Sequence, residues 1–170
     1  QVGMEGDIPI PGDYDGDGMD EFAVWRPQDH TFYVSLNNTD WAGNPVLIVK
    51  IDGAGEIPIK GNFDDDPADE MGVWRESDGV WTIALDNSTQ TNDPNDYLIV
   101  QTGMQGDIPI AADYEGDGMD EIAVWRPVDG SYFINYHNVD WATCPLDECV
   151  AVRTDVPNGT PVPGQFERTY

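Results

Sequence analysis

The chain repeats itself three times. GDIPIPGDYDGDGMDEFAVWRP begins at Gly6, GEIPIKGNFDDDPADEMGVWRE at Gly55 and GDIPIAADYEGDGMDEIAVWRP at Gly106, and the three align without a gap. A fourth start, NGTPVPGQFERTY, runs from Asn158 to Tyr170. Starts 49 and 51 residues apart fall in the range of propeller blades and solenoid units, in which each repeat buries its apolar face against the next. The period divides the chain into repeats at 1–54, 55–105 and 106–157 and a partial fourth at 158–170.

Within each copy, short β-rich runs alternate with turn residues, and no stretch has helical apolar spacing. The expected strands in the first copy are Ile8 to Ile10, Phe22 to Arg26, Thr31 to Leu36 and Val46 to Ile51. The second copy supplies Ile57 to Ile59, Met71 to Arg75, Val80 to Leu85 and Tyr97 to Gln101. The third supplies Ile108 to Ile110, Ile122 to Arg126, Ser131 to Tyr136 and Val150 to Thr154. Four short strands make a blade, so the expected fold is all-β: three propeller-type four-stranded blades, a partial fourth repeat and no significant helix. Asp78-Gly79 and Asp129-Gly130 sit where a tight hairpin needs positive φ, and Asp29-His30 is the weaker match.

The loop after the first strand carries the chemistry. Asp13, Asp15, Asp17 and Glu21 occupy loop positions one, three, five and nine, with Gly18 at six. Calcium takes six to eight hard oxygen ligands, and alternate residues of a tight loop can aim carboxylates at one centre while a position-seven carbonyl, here that of Met19, adds another. Position twelve is Val24, Val73 or Val124 in the three copies, which excludes the helical EF-hand and its Glu at twelve. The third copy keeps the set as Asp113, Glu115, Asp117, the Met119 carbonyl and Glu121. The second offers Asn62, Asp64, Asp66, the Ala68 carbonyl and Glu70, but with Pro67 in place of the glycine, and proline cannot take positive φ. Two calcium sites are therefore expected in the first and third copies and a third in the second. Without a cation, three or four carboxylates crowd each loop and loosen it by repulsion.

Charge points the same way. Against 33 Asp and Glu stand 7 Lys and Arg, and the formal net charge of -26 repels nucleic acid and anionic membrane surfaces while favouring divalent cations. The apolar run Val46 to Val49 is far too short to span a bilayer. Cys144 and Cys149 are spaced too widely for a redox Cys-x-x-Cys and too isolated for zinc, so a local disulfide in an oxidising compartment is expected. A start at Gln1 without an initiator Met fits a mature chain whose leader was removed, or a trimmed one. The expected location is extracellular or at the cell surface.

The string GDIPIPGDYDGDGMDEFAVWRP closely resembles the FG-GAP and VCBS-type repeats of extracellular bacterial proteins and of the integrin α-subunit propeller, and the resemblance covers nearly the whole chain. The family's loop motif is DxDxDGxxD. The resemblance implies calcium held between strands of a propeller blade, by Asp13, Asp15, Asp17 and Glu21 and by Asp113, Glu115, Asp117 and Glu121. Glutamate at position nine and Pro67 at position six are departures from that pattern.

Other residues have plainer readings. Trp25, Trp74 and Trp125, each followed by Arg26, Arg75 or Arg126, read as core packing with cation-π support. Trp41 and Trp141 fall outside the strands and are candidates for carbohydrate contact. Asn37, Asn87 and Asn158 open N-x-Ser/Thr sequons, sites of glycosylation in a suitable host. His30 and His137 stand without a serine or cysteine nucleophile pattern, and the carboxylates are explained by the loops, so no enzyme is expected. Propellers need four to eight blades to close. Three blades and a fragment leave two edges, and the leading expectation is head-to-tail self-assembly into a ring or filament, with the tail from about Val150 to Tyr170 docking on the next protomer. A structural or adhesive scaffold is thus the main functional expectation; a carbohydrate-binding module and a fragment of a larger secreted propeller are the alternatives.

Overall fold

The computed structural model describes residues 3–38, 46–51, 56–87, 96–145, 148–154 and 157–161. Among these the chain is all-β, with a 3-10 turn at Trp141–Thr143. Sheet 1 comprises β1 (Ile8–Pro9), β2 (Phe22–Arg26), β3 (Thr31–Ser35) and β4 (Val46–Lys50). Sheet 2 comprises β5 (Glu56–Gly61), β6 (Glu70–Arg75), β7 (Val80–Ala84) and β8 (Tyr97–Gln101), and sheet 3 comprises β9 (Ile108–Pro109), β10 (Ile122–Arg126), β11 (Ser131–Asn135) and β12 (Cys149–Arg153). Each sheet is an antiparallel meander in chain order. One repeat therefore makes one sheet.

The bounds of β2, β8 and β10 are those expected from the sequence. In sheet 2 the first hairpin pairs without a break as far as Gly61↔Glu70. In sheets 1 and 3 it stops after the short first strand and resumes at the bridges Gly12↔Glu21 and Ala112↔Glu121. In sheet 1, Pro11 interrupts this stretch and has no amide hydrogen to give. The three second hairpins share one turn: His30, Gly79 and Gly130 take φ of 56°, 72° and 68°. The weakly predicted Asp29-His30 turn thus adopts the geometry of its Asp-Gly counterparts. Cys144 and Cys149 form the expected disulfide.

Strand alternation gives each sheet two apolar faces. Between sheets 1 and 2 lie Trp25, Phe32, Val34 and Val49 from the first and Met71, Val73 and Ala84 from the second. Between sheets 2 and 3, Trp74, Trp81, Ile83 and Val100 meet Ile122 and Val124. Sheets 1 and 2 therefore turn the recurring tryptophans Trp25 and Trp74 toward the sheet that follows. Trp125, Tyr132 and Ile134 form a third buried cluster on the far face of sheet 3. The leading face of sheet 1 differs: Phe22 is 52% exposed, where its counterparts Met71 and Ile122 are 0% exposed.

The arginines correct one expectation. Trp25, Trp74 and Trp125 are core residues, but Arg26 and Arg126 stack on Tyr33 and Phe133, at 4.3 and 4.1 Å from the ring centroids. Neighbours in a strand face opposite sides, so Arg26 cannot lie over Trp25 and meets the diagonal residue on the next strand. Each guanidinium is also bidentate to a buried carboxylate, Arg26 on Asp7 and Arg126 on Asp107. Arg75 pairs instead with Asp78 in its own turn. Glu56, at the position of Asp7, meets His30 of sheet 1 at 2.8 Å.

Candidate metal centres

Each acidic loop links the first two strands of its sheet. Its second residue is a buried aromatic, Tyr14, Phe63 or Tyr114, which anchors the loop to the core. The amides of these residues donate to Glu21, Glu70 and Glu121 at 2.9, 2.6 and 2.7 Å. Position nine is therefore a buried carboxylate with one oxygen engaged by the loop's own backbone. At position six Gly18 and Gly118 take φ of 90° and 98°, and at position four Gly16 and Gly116 take 72° and 80°, values that a side chain resists. No residue of the second loop takes positive φ, so that loop bends by another route around Asp65 and Pro67.

The bends bring carboxylates together in all three loops. Ligand-capable oxygens lie within 4.8 Å of one another in Asp13, Asp15 and Asp17; in Asp64, Asp66 and Glu70; and in Asp113, Asp117 and Glu121. Each group could hold a metal ion. Glu21 and Glu115, both sequence candidates, lie outside these tightest groups. Position one also organises the backbone: Asp13 accepts from the amides of Asp17 and Gly18, and Asp113 from those of Gly116, Asp117 and Gly118. Position five holds position seven, since Asp17, Asp66 and Asp117 accept from the amides of Met19, Ala68 and Met119 at 2.9, 2.8 and 2.9 Å.

The donor set suits a hard cation. Asn62 donates through Nδ2 to the Asp66 carbonyl, while its Oδ1 is buried with no hydrogen-bond partner. A carbonyl oxygen left without a donor beside converging carboxylates is what a cation would complete. The position-nine glutamates carry raised pKa values. Burial, opposed by the Phe63 amide and aided by Asp64, Asp66 and Asp69, pushes the Glu70 carboxyl up to about 8. Burial likewise pushes Glu121 up to about 7 and raises Glu21.

Other sequence candidates fall elsewhere. Trp41 lies outside the described residues, as does the tail beyond residue 161. Trp141 stands edge-on to Phe133 with centroids 5.7 Å apart, and with Gln101, Met104 and Arg126 it lines a hollow of about 190 Å³. The amide nitrogen of Asn87, which a glycan would need, is given to the Asp69 carbonyl at 2.6 Å. Asn38 and Asn138 make the same bond to the Asp20 and Asp120 carbonyls and accept from the amides of Phe22 and Ile122. These asparagines fasten the acidic loop to the far hairpin, a role visible in the sequence only as an Asn recurring after each third strand. No helix among the described residues is long and apolar enough to cross a membrane. Compared with known proteins, the chain matches no family model, no curated protein and no solved structure.

Proposed function

We propose that the chain is an extracellular, non-enzymatic scaffold of calcium-binding repeats, each sheet a propeller-type blade of the kind its FG-GAP and VCBS resemblance implies. The observation that carries this reading is the recurrence of one convergent carboxylate group in the same loop of all three repeats. Several carboxylates and main-chain carbonyls in one loop match the six to eight oxygens of calcium better than the strict octahedron of magnesium. The ligands are Asp13, Asp15, Asp17 and Glu21; Asn62, Asp64, Asp66 and Glu70; and Asp113, Glu115, Asp117 and Glu121, with the carbonyls of Met19, Ala68 and Met119. A net charge of -26 makes cation binding a large stabiliser of the compact state. The disulfide supports an oxidising compartment. Thermal melts test the reading: calcium should raise the midpoint, EDTA should reverse it, and magnesium should do less. A midpoint indifferent to all three would overturn it.

A second reading, self-association, is favoured by the exposure of Phe22 on a face that is buried in the other two sheets. Light scattering of the wild type and of Phe22→Glu tests it, with a shift to smaller species expected. A discrete species in both that binds glycans, with binding lost in Trp141→Ala, would favour the carbohydrate module instead.

A further inference from the structure

Position eight of the loops, Asp20, Asp69 and Asp120, belongs to none of the convergent groups. In two cases it reaches into the preceding repeat. The Asp69 amide donates to the Asp13 carbonyl at 2.7 Å, and Asp69 Oδ2 accepts from the Asp13 amide at 3.0 Å. One repeat on, the Asp120 amide donates to the Asn62 carbonyl at 2.5 Å, and Asp120 Oδ2 accepts from the Asn62 amide at 3.2 Å. Both backbone groups of position one in one loop are thus held by a single residue of the next. Lys60 Nζ, 2.7 Å from Asp69 Oδ2, offsets the charge of the first of these contacts.

The residue before position one makes room for the contact. A methyl on Gly12 would lie 2.6 Å from Asp69 Oδ2, and one on Gly61 would be closer still to Asp120 Oδ2. In the third repeat this residue is Ala112, whose methyl stands where such a carboxylate would have to sit. Among the described residues no aspartate clasps Asp113 in this way, and its carboxylate accepts from three amides of its own loop.

We propose that Asp69 and Asp120 are positioning residues, each an inter-sheet clasp that fixes the first cation ligand of the preceding loop, so that cation affinity in one repeat depends on the repeat that follows. The effect on affinity rests on the calcium reading above, whereas the clasp does not. Position one supplies a ligand oxygen, and at Asp13 it also accepts from the loop's amides, so releasing its backbone leaves more to be ordered when the ion binds. Partners one step removed from a metal are worth about 10- to 100-fold in affinity.

The test is a calcium chloride titration of the full, isotope-labelled chain followed by NMR. Asp69→Ala should lower affinity about 10- to 100-fold at the Gly16 and Gly18 amides and leave Gly116 and Gly118 unmoved. Asp69→Asn, which keeps an acceptor oxygen, should restore most of the loss. Gly12→Ala should reproduce Asp69→Ala, with the double variant no worse than either single one. Unchanged affinity at Gly16 and Gly18, or an equal loss at Gly116 and Gly118, overturns the coupling. If the wild type shows no calcium response, the calcium reading and the coupling both fail. The clasp is then judged in metal-free protein, where Asp69→Ala should speed exchange of the Asp13 amide at least about tenfold and spare that of Tyr114; unchanged Asp13 exchange sinks it.

Discussion

Calcium added to the metal-free protein should displace protons, those of two buried carboxyls among them. Burial is the main cause that raises Glu70 to about 8 and Glu121 to about 7, with neighbouring carboxylates adding to it. Each shares a convergent group with two aspartates, and a ligating carboxylate must be ionised, so the ion takes the place of the proton. At pH 7 Glu70 is then largely protonated and Glu121 about half, so these two give up roughly one to two protons per chain on saturation; at pH 9 that release falls close to zero. Calorimetric titrations in buffers of different protonation heat measure this directly, because the apparent enthalpy changes with buffer in proportion to the protons released. Identical heats in every buffer at pH 7, or a release undiminished at pH 9, would refute the reasoning. The same shifts fix the sign of the stability change. A carboxyl raised by folding stabilises the protein fully below its ordinary value of 4.5, and that contribution is lost as pH climbs through 7 and 8. Metal-free protein should therefore melt lower at pH 8.5 than at pH 5.5, and saturating calcium should close the gap.

Three further perturbations probe separate parts of the molecule. Glu70→Gln keeps an acceptor for the Phe63 amide but removes a ligand charge, so calcium affinity read at the second loop should fall at least about tenfold while metal-free stability at pH 8 is maintained or improved. Arg126→Ala strands the buried carboxylate of Asp107 and should cost about 3–5 kcal/mol in urea unfolding, far more than loss of a surface pair. The double change Cys144→Ser with Cys149→Ser opens a loop of sequence separation 5 and should cost about 2 kcal/mol at most, since short loops carry little closure entropy.

Much of this architecture is legible from one repeat, and most of what is not legible lies between repeats. The alternation of Phe22 and Val24 with Ala23 and Trp25 specifies a strand with two apolar faces, but not which sheet covers either one. That assignment comes from packing, in which Trp25 shares a buried cluster with Met71 and Val73, and Trp74 shares one with Ile122 and Val124. The acidic loop is legible because positions one, three, five and nine serve a centre inside the loop. Glu21 and Glu115 still fall outside the tightest groups, since spacing fixes which carboxylates can converge and the backbone decides which ones do.

Position eight is hidden for the opposite reason. Asp69 and Asp120 are turned away from their own loops, and within one repeat they look like any solvated aspartate beside a cluster of others. Their signal is a correlation across the repeat boundary: Gly12 precedes Asp69 and Gly61 precedes Asp120, while Ala112 stands at the equivalent place in the third copy. A glycine that leaves room for a neighbouring carboxylate carries no local turn or strand signature. The same limit explains the arginines, because Arg26 and Trp25 are adjacent in sequence yet face opposite sides of β2, and the ring that Arg26 covers belongs to Tyr33. In a repeat array the period shows what each unit is, and the residues that differ between copies show where one unit grips the next.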